Sequence, residues 1–302
     1  LITARTDALA RALRARRRER KGSRMSHSLH LRLPDGLWKA LQEHCAHSGE
    51  SVNHAVASAI ADALDIEHHT IYQVSTSGAL VEGVFKGCVR VGDIRRHGDF
   101  GLGSFDGLDG EGIMLDGVCW QAKSDGSVQV APDDALAPFW VATHFAADHT
   151  QTVTDISDLE TLTRLLDSLR SSENMFAAIR VRGRFNHVKY RVACKCDAGV
   201  TLLEASKHQQ EFVFDDIEGT LVGFWTPEYA RTINVPGYHL HFISDEFRHA
   251  GHVLALRAQA LELELHVETN LQLVLPETPE FLAADLTGDP AAALAASEDD
   301  TP

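Results

Sequence analysis

The sequence predicts an α+β protein with a mostly β body of mixed and antiparallel sheets, preceded by a small strand–helix–helix module. Two observations lead to this prediction. From residue 67 onward, short runs of alternating apolar and polar residues are separated by turn signals, whereas residues 27–66 combine one such run with two helical patterns. The 302 residues are 44% hydrophobic and 24% charged, as in ordinary globular proteins, and at roughly 100–200 residues per domain they predict more than one domain.

Composition also excludes several classes of protein. No run approaches about 18 consecutive apolar residues, so neither a transmembrane helix nor a membrane partner is expected. The first 24 residues lack the apolar stretch and cleavage site of a secretory signal. The five cysteines are odd in number and scattered, unlike a disulfide framework. We therefore expect a cytoplasmic protein.

Residues 1–26 form a basic arm that we expect to be disordered. Its first 24 residues carry nine Lys or Arg side chains and two acidic ones, whereas the whole chain has a net charge of −15. An acidic body does not attract nucleic acid through its general field, while a short basic arm does. The first methionine is Met25, so translation from an unusual codon and a natural start at Met25 both stay open.

Residues 27–66 predict a strand followed by two helices. Ser28–Leu33 alternates polar and apolar residues as a half-buried strand does, and Pro34 ends it. Gly49 is a helix C-cap signal, and Ser51 is an N-cap signal that opens the second helix. The residues at helical spacing are Leu37, Trp38, Leu41, His44 and Cys45 in the first helix and Val52, Ala55, Val56, Ala59, Ile60 and Ala63 in the second.

This pattern resembles ribbon–helix–helix proteins, a group of small repressors and antitoxins. The resemblance covers residues 27–66 and implies that two copies of the strand pair across a homodimer and enter the major groove of DNA. The outward side chains would be Ser28, His30 and Arg32, and the inward ones Leu29, Leu31 and Leu33. Because this strand offers one permanent positive charge, a dimerisation module that has lost DNA binding is an equal alternative.

The body, residues 67–302, is predicted as a series of strands with a few helices. Asp116-Gly117 favours a type I′ turn, and Asp155–Leu169 has the apolar spacing of an amphipathic helix. Two hairpins are predicted, Glu111–Leu115 with Val118–Ala122 and Phe176–Arg184 with His187–Ala193. Other predicted strands are Ile71–Val74, Glu211–Trp225, His239–Ile243, His252–Leu256 and Glu262–Val267, and other predicted helices are Ala79–Phe85 and Pro290–Glu298.

Histidines supply the clearest candidate site. His239 and His241 are two residues apart in a predicted strand, so both imidazoles project from one face, and His252 opens the next strand on the same side. Three imidazoles with an open fourth position are typical of catalytic zinc sites, although Mn²⁺, Fe²⁺ and Co²⁺ are compatible. His249 in the intervening turn competes as third ligand, and among 17 histidines such a pair also arises without function.

Several motifs occur in the order found in alpha-acetolactate decarboxylases, which the chain resembles from about His69 to its C-terminus. The most specific are the HGDFGLGSF segment of residues 97–105 and the GYHLHF segment of residues 237–242. The others are the segments YQVST at residues 72–76, GVFKG at residues 83–87, LDGE at residues 108–111 and GHVL at residues 251–254.

The resemblance implies a set of site residues. It implies a Zn²⁺ ion, or another divalent transition metal, on His239, His241 and His252. It implies catalytic roles for Glu111, for Arg191 and for a C-terminal glutamate that folds over the metal and aligns with Glu298. Ser104 replaces the usual threonine and keeps a hydroxyl for substrate binding, while Gly112 stands where a larger apolar residue is common. Family members are generally dimers, so a homodimer is expected from both ends of the chain.

The implied function is metal-dependent decarboxylation of 2-acetolactate to acetoin and CO₂. Loss of CO₂ sends electrons into the neighbouring ketone as an enediolate, which a Lewis-acidic metal stabilises. A positioned acid then protonates the enediolate, and Glu111 and Glu298 are both candidates. The alternative is a DNA-binding regulator whose decarboxylase-like body senses acetolactate.

Overall fold

The computed structural model describes residues 29–49, 51–64, 67–197 and 199–298, so the basic arm and Ser28 lie outside the described residues. The chain divides into two compact units, with the division between His68 and His69. Within the described ranges, no helix is long and apolar enough to cross a membrane.

The N-terminal unit contains the two predicted helices, α1 (Asp35–Ser48) and α2 (Val52–Ala63). α1 ends at Gly49, whose φ of 79° is the left-handed conformation that glycine adopts readily. The Ser51 hydroxyl accepts a hydrogen bond from the His54 amide at 3.1 Å and caps α2. Both helices and both cap signals are confirmed.

The strand predicted for Ser28–Leu33 is not formed within the single chain over its described part, because residues 29–33 belong to no strand. Leu29 and Leu31 were expected to face inward and are 68% and 53% exposed. The expected DNA-facing residues His30 and Arg32 are exposed but are not presented by a strand. An isolated strand leaves its backbone donors and acceptors without a ladder partner, so alternation alone does not create a sheet.

The N-terminal unit buries little apolar surface within one chain. Among its described residues, Ala55 and Ala61 are the buried hydrophobic ones. Its exposed large apolar side chains are Leu29, Leu31, Leu37, Trp38, Val52, Ile60 and Leu64. Domains below about 40 residues usually need oligomerisation, a metal or disulfides for stability.

The body is mostly β. Its strands are β1 (Thr70–Val74), β2 (Val89–Arg90), β3 (Phe100–Ser104), β4 (Glu111–Leu115), β5 (Val118–Ala122), β6 (Val128–Val130), β7 (Leu136–Ala137), β8 (Trp140–Thr143), β9 (His149–Ile156), β10 (Phe176–Val192), β11 (Gln210–Thr226), β12 (Gly237–Ser244), β13 (Ala250–Glu268) and β14 (Asn270–Val274). Its helices are α3 (Ser77–Val81), α4 (Val91–Ile94), α5 (Leu159–Leu169), α6 (Leu202–Ser206), α7 (Pro279–Ala283) and α8 (Ala291–Glu298), with 3₁₀ turns at Asp106–Leu108 and Glu228–Ala230.

Two sheets organise these strands. The seven-stranded sheet has the order β14-β1-β8-β3-β4-β5-β6, and it is mixed because β1 and β14 run parallel. The five-stranded sheet has the order β10-β11-β12-β13-β9 and is antiparallel. β10 also pairs with β13, so β10 to β13 form a closed ring of four strands. The predicted mostly β body with mixed and antiparallel sheets is confirmed.

The hairpin predicted at Asp116-Gly117 joins β4 and β5 as expected. Asp116 has φ of 53° and Gly117 has φ of 76°, the positive values at both central positions that a type I′ turn requires. This turn fixes the register of β4, so that Glu111 stands at the start of that strand opposite Ala122.

The second predicted hairpin is wrong, because Phe176–Arg184 and His187–Ala193 belong to one long strand, β10. The register of β10 against β13 shifts between Gly183 and Phe185 and again between Phe185 and His187. Such bulges bend a strand without reversing it, which imitates a turn signal in the sequence. β13 likewise unites the two strands predicted at His252–Leu256 and Glu262–Val267.

Two helix boundaries also differ from their predictions. α5 begins at Leu159 rather than Asp155, because β9 continues to Ile156 and the Asp158 carboxylate caps the helix by accepting from the Thr161 amide at 2.7 Å. α3 covers Ser77–Val81 rather than Ala79–Phe85, since Gly83 adopts φ of 78° directly after it.

Candidate active site

The three predicted metal ligands lie on two neighbouring strands of the closed ring. His239 and His241 alternate along β12, and His252 on β13 pairs directly with His241. One ring nitrogen from each lies within 4.8 Å of the others. The side chains are 9%, 1% and 7% exposed, respectively. His249, the competing third ligand, instead packs against Phe214 with ring centroids 4.0 Å apart.

The ring nitrogens are arranged for a shared cation. His241 Nδ1 lies 3.1 Å from the carbonyl oxygen of Gly112, so it carries the proton and donates to that oxygen. His241 Nε2 therefore presents a lone pair, 3.2 Å from His239 Nε2. Ligands on a tetrahedral zinc at 2.0–2.1 Å are about 3.3 Å apart, and a carbonyl on the other ring nitrogen is the usual support for a metal-binding histidine. The donor set fits a divalent transition metal.

Steric crowding by Trp140 explains why residue 112 is a glycine. A Cβ at this position would lie 2.4 Å from the Trp140 ring. The buried Trp140 indole occupies the space next to Gly112, where the sequence lacks the larger apolar residue common in the family. This packing brings the Gly112 carbonyl beside His241 while the adjacent Glu111 side chain faces the histidines.

Aromatic and ionic contacts anchor the strand that carries the histidines. The Tyr238 hydroxyl donates to Asp167 Oδ1 at 2.7 Å and accepts from Arg170 Nε at 2.8 Å. The Arg170 guanidinium also lies 3.5 Å above the centre of the Trp225 ring. Burial raises the pKa of the Tyr238 phenol, which stays a neutral donor. These contacts fix β12 one residue before His239.

Glu111 and Arg191 approach the histidines from two directions. Glu111 Oε1 accepts a hydrogen bond from the Ala193 amide at 3.0 Å, and Oε2 lies 3.6 Å from His241 Nε2. Arg191 is 8% exposed and pairs in β10 with His252 in β13. Glu111 and Arg191 line the same cavity as the three histidines.

One cavity of about 660 Å³, including its open mouth, unites these side chains. The sequence-predicted residues in its lining are Ser104, Glu111, Arg191, His239, His241 and His252. The lining residues that the sequence did not indicate include Leu80, Leu108, Phe139, Leu202, Ala205, Gln209, Val235, Leu294 and Ser297.

The Ser104 hydroxyl and the Gln209 side-chain carbonyl oxygen lie in this lining, are buried, and have no hydrogen-bond partner among the described residues. Buried polar atoms without partners are costly, and a bound ligand can satisfy them. Ser104 was predicted as a substrate contact, whereas no local pattern distinguished Gln209, which follows α6 in a polar segment.

The C-terminal helix forms one wall of the cavity. Leu294 and Ser297 on α8 are 1% and 2% exposed and line it. Asp289 Oδ1 accepts from Arg231 Nε at 3.0 Å and from the Ala291 amide at 3.1 Å, which fixes the start of α8. Glu298 is the last residue of α8, and its side chain lies outside what the structure describes.

The described nucleic-acid candidates, His30 and Arg32, are not among the residues that line this cavity. His30 and Arg32 belong to the N-terminal unit, and Ser28 lies outside the described residues.

The family model described as alpha-acetolactate decarboxylase matches residues 71–288. This chain belongs to the alpha-acetolactate decarboxylase family. The match begins after the N-terminal unit and covers most of the body, ending before α8.

Individual decarboxylases support the assignment. An alpha-acetolactate decarboxylase of Methanosarcina mazei is 40% identical over 238 residues, which cover 78% of this chain and 81% of that protein. One of Brevibacillus brevis is 38% identical, with 72% of this chain and 77% of that protein covered. The crystal structure of the Bacillus subtilis decarboxylase superimposes with a TM-score of 0.74 at 36% identity and covers 76% of this chain and all of that chain.

Proposed function

We propose that this chain is a cytoplasmic, zinc-dependent decarboxylase that converts 2-acetolactate to acetoin and CO₂. The observation that carries the proposal is the convergence of three histidines, Glu111 and Arg191 on one cavity. Membership of the decarboxylase family gives the reaction, and the donor set supports a zinc ion as the proposed cofactor.

Substrate binding depends on local positive charge, because the substrate is an anion and the chain has a net charge of −15. The proposed role of Arg191 is to bind the carboxylate or a developing enediolate oxygen through two parallel N–H donors, a geometry that lysine lacks. A divalent ion on the histidines supplies, when bound, the Lewis acidity that stabilises negative charge on substrate oxygens.

Proton delivery is the second task of the site. The Ala193 amide holds one oxygen of Glu111, so the other oxygen has a defined direction towards the histidines. We assign Glu111 as the acid that protonates the enediolate carbon from one side. Glu298 at the end of α8 is the second candidate for the same proton, in line with the family resemblance.

The remaining walls orient the substrate and exclude water. The Ser104 hydroxyl can donate to or accept from substrate oxygens, and the Gln209 carbonyl oxygen can accept from a substrate hydroxyl. Leu80, Phe139 and Leu294 supply apolar surface next to the substrate's methyl groups. A drier cavity strengthens every charge interaction with the developing enediolate.

The test is acetoin release from 2-acetolactate by the full chain, with and without added Zn²⁺. We expect turnover with zinc, loss of turnover in His241→Asn, and near-normal turnover in the matched control His249→Asn, whose ring packs on Phe214. Folded, zinc-loaded protein that releases no acetoin would refute the proposal.

We also propose that the N-terminal unit acts as a ribbon–helix–helix homodimerisation module, residues 27–66, that can bring the enzyme to DNA. The observation in favour is the set of exposed leucines and Trp38 on a unit with a minimal core of its own. A second chain would pair the Ser28–Leu33 segment and cover these side chains. DNA contact would then fall to Ser28, His30 and Arg32.

A gel shift separates the enzyme from the regulator. Residues 25–302 are mixed with the promoter upstream of the chain's own gene at stated salt, because phosphate contacts weaken steeply with salt. A shift that Arg32→Ala abolishes supports DNA binding. Absence of a shift leaves a dimerisation module and rules against the regulator.

A further inference from the structure

A second group of metal-ligating side chains lies in the body, outside the lining of the decarboxylase cavity. It comprises His69, directly before β1, and His266 and Glu268 near the end of β13. These side chains are 6%, 0% and 1% exposed, respectively. His266 and Glu268 are two residues apart in one strand, so they project from the same face.

Backbone contacts hold His69 against the end of β13. The His69 carbonyl oxygen accepts from the amides of Thr269 at 3.0 Å and Asn270 at 2.9 Å. His69 Nδ1 lies 2.5 Å from the Val267 carbonyl oxygen and donates to it. The Nε2 atom therefore carries the lone pair, in the arrangement of a metal-binding histidine whose other nitrogen bonds a backbone carbonyl.

The two imidazoles are close neighbours. The ring centroids of His69 and His266 lie 4.6 Å apart, and a ring nitrogen of one lies within 4.8 Å of a ring nitrogen of the other. Small side-chain rotations therefore bring both nitrogens to one cation.

Glu268 supplies an independent indication of a ligand. Neither of its buried carboxyl oxygens has a hydrogen bond of good geometry among the described residues, although the Thr143 hydroxyl and His266 are its neighbours. A buried carboxylate is costly unless a cation or hydrogen bonds compensate for its charge, so this one calls for a partner.

We propose that His69, His266 and Glu268 bind a second divalent transition metal, in a structural site that joins the start of β1 to the end of β13. His266 Nδ1 accepts from the Ala146 amide at 3.5 Å and lies 3.4 Å from Glu268 Oε1, so the two side chains of β13 stand next to each other. Two imidazoles and a carboxylate favour Zn²⁺, and their burial is typical of a closed site rather than a catalytic one.

The site does not depend on the proposed enzymatic function, and its experiment separates the two. The full chain is made metal-free, reloaded with Zn²⁺, dialysed and analysed for metal per chain. The wild type should retain about two equivalents, and His241→Asn about one, because that substitution removes a ligand of the cavity site alone.

Glu268→Gln keeps the side-chain volume and tests the second site directly. We expect it to lower the wild-type content from about two equivalents to about one while acetoin release per filled cavity site stays unchanged. In the His241→Asn background, the same substitution should leave less than a tenth of an equivalent. His149→Asn, at an exposed position in β9, is the matched control and should retain both equivalents.

Thermal unfolding provides a second readout that does not involve activity. Added Zn²⁺ should raise the Tm of His241→Asn but not that of the double variant with Glu268→Gln, because a ligand that binds the folded state stabilises it. The proposal is overturned if His241→Asn retains no zinc, or if its remaining zinc is indifferent to Glu268→Gln. The zinc content of His241→Asn can be measured even if Glu268→Gln fails to fold.

Discussion

The body and the N-terminal unit use the same kinds of local sequence signal with different results. In the body, alternating runs become strands because other strands of the same chain pair with them. Their apolar faces are buried in the core of the body. In the N-terminal unit, Leu29 and Leu31 alternate just as regularly and remain 68% and 53% exposed. The difference teaches that alternation gives a strand only where a ladder partner and a covering surface exist.

The body therefore holds the groups proposed for catalysis, whereas the described part of the N-terminal unit buries only Ala55 and Ala61 as hydrophobic residues. Each prediction below tests that contrast, in order of decreasing effect.

Removing a histidine from the cavity should have the largest effect. His239→Asn should lower the turnover of 2-acetolactate by about 10³-fold, because a positive charge opposite the developing enediolate is lost. Metal analysis should show one equivalent less than in the wild type. Unchanged turnover in a folded variant would mean that the histidine cluster is not the reaction centre.

Loss of the paired N–H donors of Arg191 should lower kcat/KM less than loss of a histidine lowers turnover. Arg191→Lys keeps the charge but loses the paired N–H donors, so kcat/KM should fall by about 10²-fold. Arg257→Lys, at an exposed position of β13, is the control and should behave as wild type. Equal effects in the two variants would remove Arg191 from the proposed mechanism.

Replacing Ser104 or Gln209, whose polar atoms face the cavity, should have a moderate effect on the steady-state kinetics. Ser104→Ala and Gln209→Leu should each raise KM or lower kcat/KM by about 10-fold, the equivalent of one hydrogen bond to substrate. Steady-state kinetics with 2-acetolactate measures this. Ser104→Thr should stay close to wild type because it keeps the hydroxyl.

The pH dependence of stability should reveal Glu268 in the metal-free body. Its pKa in the folded protein is raised from 4.5 to about 8, so the folded state holds this proton more tightly than the unfolded state. The carboxyl therefore contributes stability below about pH 4.5, and that contribution is lost as pH rises towards 8. Neighbouring groups are His266 on the same strand, Asp148 before β9 and Thr143 on β8. Urea unfolding across this range should show a decline that Glu268→Gln flattens.

Deleting the N-terminal unit should have the smallest effect on catalysis. Residues 67–302 should retain kcat/KM within about 2-fold, because every described residue of the cavity lies in the body. The isolated peptide of residues 25–68 should associate in a concentration-dependent way, and Ile60→Asp should weaken that association. Large loss of kcat/KM in the truncated chain would show that the body is not a complete catalyst.

Much of the cavity was predictable from local sequence because its chemistry lies in short motifs. The alternation of His239 and His241 on β12 and the glycine turn at Asp116-Gly117 are properties of a few neighbouring residues. Gln209 and Leu294 were not predictable in this way, because their role arises from the packing of α6 and α8 around the cavity.

The fold shows the same limit. β10 was predicted as a hairpin of Phe176–Arg184 with His187–Ala193, yet its pairing with both β11 and β13 makes it one continuous strand that passes through the bulges. The ribbon of the N-terminal unit was predicted from one strand, although a ribbon requires a second chain. Long-range pairing decided both cases.

The central claim is that the histidine cluster makes this body a decarboxylase, and titration of the metal-free full chain with Zn²⁺ tests it most directly. Acetoin formation from 2-acetolactate should be absent at the start and should rise as zinc fills the cavity site, in the wild type and in Glu268→Gln alike, but at no zinc concentration in His241→Asn. Full turnover by metal-free protein, or by zinc-loaded His241→Asn, would contradict the account.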